Sequence, residues 1–106
     1  MGFFTQANKT VDLGDGNTAT LRKPTFGDSQ AAASPAARVK GDGNILMDWP
    51  RYRMELLKLC LVSWDGPGFE GRPPTGENIE ALPSGVGALL ADEVQELSRL
   101  DKDAGN

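Results

Sequence analysis

The chain has 106 residues, a formal net charge of -4, no histidine and one cysteine. That length supports one modest core rather than two. The mild acidity excludes a basic stripe for a phosphate backbone, and the missing histidine removes the commonest general base and metal ligand together.

No enzyme, cofactor, metal site or nucleic-acid partner is therefore expected. Cys60 lies inside LLKLCLV, where a thiol behaves as a small buried hydrophobe, and a lone cysteine forms no disulfide within the chain. The apolar run in MGFFTQANK is too short for a signal peptide, and no stretch approaches the length of a membrane span, so no membrane partner is expected.

In chain order, KTVDLGDGNTATLRK at residues 9–23 alternates Val11 and Leu13 before GDGN and Ala19 and Leu21 after it. This pattern predicts a β-hairpin with one buried face. Such a hairpin is marginal alone and must pack on the rest of the domain or on a partner, the helices that follow being the obvious platform. Residues 29–44, SQAAASPAARVKGDGN, hold almost no large apolar side chain, and Pro35 interrupts the alanines. Thr25 or Asp28 could cap a short helix running into the alanines, but the segment reads as flexible, helical in part at most, with a second GDGN turn.

Asp48 is positioned as an N-cap, and RYRMELLKLCLVSW then runs without a breaker, predicting a central helix over 48–64. Its apolar residues fall on two faces, one with Tyr52, Leu56, Leu59 and Cys60 and another with Leu57, Leu61 and Trp64. A helix so apolar is enclosed on several sides, by its own domain or by a partner. Gly66, Gly68 and Gly71 match the spacing of a dinucleotide-binding turn, but a helix precedes them and Pro73 and Pro74 follow. That context makes them loop glycines.

Thr75 caps a short helix over 75–82, and Pro83 stops it. The last helix, 84–100, places Val86, Leu89, Leu90, Val94, Leu97 and Leu100 on one stripe, and 101–106 reads as a disordered tail. The expected fold is a single domain over 1–106, mainly α with a small N-terminal β-hairpin (α+β). It has three to four helices, one of them strongly apolar and central. Leu57, Leu61, Trp64 and Phe69 are the candidate partner-binding residues, with Phe69 expected to be exposed in its Gly/Pro loop.

The succession of a hairpin ending LRKPTFGD, an apolar helix ending LVSWDG, then PPTGENIEALP and a closing amphipathic helix resembles the tail assembly chaperones of long-tailed bacteriophages. The resemblance implies a non-enzymatic protein of the host cytoplasm. It implies that such a protein binds the tape measure protein and recruits tail tube protein; separately, the two-sided apolar helix leads us to expect self-association that covers the same apolar surface until a partner arrives. A structural tail completion or connector protein and a small acidic regulator of a host protein are the competing readings.

Overall fold

The computed structural model describes residue 4 and residues 8–104, with side chains through residue 99. Strands β1 (Asn8–Gly14) and β2 (Asn17–Arg22) form the first hairpin. Its turn places Asp15 and Gly16 both at positive φ, the twist that suits a two-residue connection between right-twisted strands. Helix α1 (Phe26–Ala36) follows, then a short ribbon of β3 (Ala37–Val39) and β4 (Ile45–Met47), helix α2 (Trp49–Cys60) and strand β5 (Leu61–Asp65). A 3-10 turn (Pro67–Phe69), helix α3 (Gly76–Glu80) and helix α4 (Ser84–Ala104) complete the chain.

The expected fold class needs correction: the described residues form a three-stranded antiparallel sheet in the order β1-β2-β5 beside four helices, and none of those helices is strongly apolar. The difference lies at Leu61. The central helix expected over 48–64 ends at Cys60, and the next five residues become β5. The Arg22 guanidinium donates to the Leu59 carbonyl at 2.8 Å, occupying one acceptor that an ended helix leaves open. Val62 and Trp64 suit a pleated strand, and the outer edge of β2 offers a ladder to pair with. Helix α2 itself buries only Leu56, Leu57 and Cys60; Leu59 is exposed, and arginines, glutamate and lysine fill its other faces.

Residues 29–44, expected to be flexible, form most of α1 and the first strand of the ribbon. Thr25 and Asp28 make a reciprocal capping box at the start of α1. Pro35 sits in the last turn, and the face turned to α2 is made of Ala32 and Ala36, both fully buried. Small side chains let the two helices approach closely, so α1 needs no large apolar residue. Both GDGN segments are hairpin turns, the second closed by Lys40 N–H donating to Asn44 O at 2.7 Å.

One face of the sheet contributes Val11, Ala19, Leu21 and Leu61 to a single core with Leu56, Leu57, Cys60, Ile79, Leu90, Val94 and Leu97. Leu21, Leu90 and Val94 are fully buried, each contributing about 1.5–3 kcal/mol. Helix α4 continues to Ala104 where a tail was expected from residue 101; residues 105–106 and the Leu100 side chain lie outside what is described. No helix among the described residues is long and apolar enough to cross a membrane.

Candidate protein-binding site

The segment that follows β5 is fixed rather than loose. Gly66 adopts φ 131, and its main chain lies against the first hairpin turn: a Cβ there would sit 2.6 Å from Asn17 Cα and 2.7 Å from Gly16 O. The Asn17 side chain accepts from Gly68 N–H at 2.7 Å, clamping the loop to β2. Gly71, at φ 73, and Glu70, at φ 54, then reverse the chain through left-handed backbone. The glycines serve a tight reversal with close backbone approach, and no phosphate-binding helix start follows them.

This reversal folds Phe69 back onto Trp64, their rings stacked at 4.4 Å and inclined by 10°. Phe69 is 8% exposed, which corrects the expectation that it stands out in its loop. The Trp64 indole N–H donates to Arg72 O at 2.5 Å, tying the start of the double-proline segment to the strand. Thr75 Oγ1 then accepts from Asn78 N–H at 3.2 Å, and Asn78 Nδ2 donates to Pro73 O at 2.8 Å. Lys58 anchors this elbow to α2, donating to Glu80 at 2.7 Å and Glu55 at 3.3 Å. The Glu80 contact holds the Lys58 ammonium above its ordinary range and draws the Glu80 carboxyl below its own. A cleft of about 290 Å³ remains between the stacked rings, Asn78 and Leu82.

At one end of the α1–α2 pair, the Arg22 guanidinium bonds both carboxylate oxygens of Asp28, at 2.5 and 3.0 Å, as well as the Leu59 carbonyl. Beside Arg22, the Asp28 carboxyl is held down at about 2. This bidentate pair joins the hairpin, the first turn of α1 and the last turn of α2. Cys60 lies within the same joint, and burial pushes its thiol up to about 11, leaving it unreactive.

Of the four expected partner-binding residues, Leu57 is 2% exposed, Leu61 and Phe69 are also buried, and Trp64 is half-buried. They belong to the core and to the loop clamp: of the three expected on one helix face, only Leu57 lies on α2, where it is buried in the core, while Leu61 and Trp64 lie on β5. The apolar surface lies elsewhere. Phe26, Leu59 and Val62 are exposed near the Arg22 joint, while Val39, Ile45, Leu46 and Trp49 are exposed on the ribbon and the first turn of α2. The signal for the second set is present in the sequence, since RV and ILM flank GDGN much as apolar strands flank the first GDGN.

Among the described residues, no group of three acidic, cysteine or histidine side chains is gathered to hold a metal. No family model, curated protein or solved structure matches this chain.

Proposed function

We propose that the chain is an assembly chaperone of the long-tailed phage type, binding the tape measure protein and bringing tail tube protein to it. The observation supporting this reading is that SWDG and PPTGENIEALP, the two segments of the resemblance, meet as one clamped unit. Trp64 stacks on Phe69 and bonds Arg72 O, and the capped elbow at Thr75 docks on α2 through Lys58. A shared sequence pattern of this kind then has a physical purpose: it sets the angle between the sheet and the closing helix.

The chemistry of such a role is coverage of apolar surface. Phe26, Leu59 and Val62 stand exposed where Arg22 draws α1 and α2 together, and an amphipathic helix of the partner lays its stripe over them. Each square ångström of apolar area covered contributes about 25 cal/mol. Co-purification with a co-expressed phage tape measure protein tests the reading. Retention of the pair through gel filtration is expected, with loss on Phe26→Asp; separate elution of the two proteins contradicts it.

A further inference from the structure

We propose that the β3–β4 ribbon is a self-association arm, through which two copies of this chain pair along β4 into a four-stranded sheet centred on Leu46. The inference stands independently of the assembly role. It begins from the ribbon's isolation: each strand has three residues, among the described residues the two pair only with each other, and residues on both faces are exposed. Two strands of that length are marginal in water without a further layer or strand.

The free edges of the fold differ in protection. The β1 edge carries Lys9 and Asp12, β5 is broken by a bulge at Val62, and β3 carries Arg38, which pairs with Asp48 at 2.9 Å. Charges and bulges of this kind deter edge-to-edge pairing. Strand β4, reading Ile45, Leu46 and Met47, has neither device.

Its backbone is also aimed correctly. Lys40 N–H donates to Asn44 O and Asp48 N–H donates to Ala36 O, so residues 44, 46 and 48 direct their main-chain groups toward β3. By the alternation of an antiparallel ladder, Ile45 and Met47 direct theirs outward. A twofold axis at Leu46 places Ile45 opposite Met47 of the second copy, and those residues exchange four hydrogen bonds. The two Leu46 residues then form the closer, non-hydrogen-bonded pair, about 4.5 Å apart at Cα.

The area agrees. Val39 is 75% exposed, Ile45 72%, Leu46 51% and Trp49 62%. Those side chains offer roughly 400 Å² of apolar surface, comparable to the largest patch on a typical monomer. Pairing along β4 covers the Ile45 and Leu46 part of this patch with Met47 and the strand backbone, so the interface falls below the ~1,200 Å² of standard specific interfaces, among weak and transient ones. The predicted dimer is therefore of modest affinity and concentration-dependent.

Sedimentation velocity over a range of concentrations tests this, with circular dichroism on every variant. The wild type is expected to shift from monomer to dimer, and Leu46→Lys, which sets like charges at the axis, to remain a folded monomer. Under mild oxidation Leu46→Cys is expected to yield a disulfide-linked dimer, since Cα atoms at that spacing lie within disulfide reach. Leu59→Cys, at the opposite end of α2, is expected to yield none. A wild type that stays monomeric, a Leu46→Lys protein that still dimerises, or cross-linking equal at both positions overturns the proposal.

Discussion

Replacing Gly66 by alanine is expected to remove a large part of the domain's stability, although the change adds one methyl group to a loop. Gly66 sits at φ 131 and ψ 164, a region held almost only by glycine, and forcing another residue there costs about 1–3 kcal/mol. The new Cβ would also meet Asn17 Cα at 2.6 Å and Gly16 O at 2.7 Å. Both are main-chain atoms of a hairpin turn and have no rotamer to adopt. Relief requires the loop to lift from the hairpin, which breaks the Gly68 to Asn17 bond and loosens the Trp64–Phe69 stack; overpacking of this kind costs about 1–3 kcal/mol more. The total, about 2–6 kcal/mol, is a substantial share of the 5–15 kcal/mol typical of a folded domain, and corresponds to a fall in Tm of about 8 °C or more. Urea unfolding followed by far-ultraviolet circular dichroism and tryptophan fluorescence measures it. Gly41→Ala is the control, because a Cβ there meets open space and its φ is unstrained; its effect is expected to stay within about 0.5 kcal/mol. A loss below about 1 kcal/mol for Gly66→Ala refutes the view that the loop is clamped to the hairpin.

Phe69→Ala is expected to cost about 3–4 kcal/mol and to alter Trp64 emission, since the ring is buried and stacked; a neutral effect in urea unfolding contradicts its place in the core. Leu57→Asp is expected to give an unfolded chain by circular dichroism, and folded protein would refute the core assignment. Asp28 binds its proton less readily in the folded state, near 2, than at its ordinary 3.8. Its contribution, about 1–2 kcal/mol, is complete above pH ~4 and disappears as the pH falls through ~2. Stability measured across that window is expected to decline less steeply in Asp28→Asn, and an identical slope contradicts the pairing with Arg22. A thiol reagent at neutral pH is expected to leave Cys60 unmodified until denaturant is added; prompt reaction in the native state contradicts its burial.

The sequence is most readable where a signal is local. Asp48 as an N-cap, Thr75 as the cap of α3, and the first GDGN turn all rest on contacts within a few residues, and such contacts form wherever the segment is placed. What depends on distant partners is not readable in the same way. LVSW has the composition to extend α2, and becomes β5 because β2 has a free edge and Arg22, 37 residues away, meets the Leu59 carbonyl. Helix α1 escapes a search for large apolar periodicity because its buried face is alanine. Phe69 looks exposed beside so many glycines and prolines, yet those residues permit the reversal that buries it against Trp64. The exposed apolar set moves accordingly, from the central helix to Phe26, Leu59 and Val62 at one end of the α1–α2 pair and to the ribbon at the other.

The proposed assembly role is tested most directly by producing a phage tape measure protein with and without this chain and measuring its soluble fraction. The account predicts a tape measure protein that aggregates alone and remains soluble in a complex with the wild-type chain, with the effect lost for Phe26→Asp. A tape measure protein whose solubility is unchanged, with this chain eluting by itself, contradicts it.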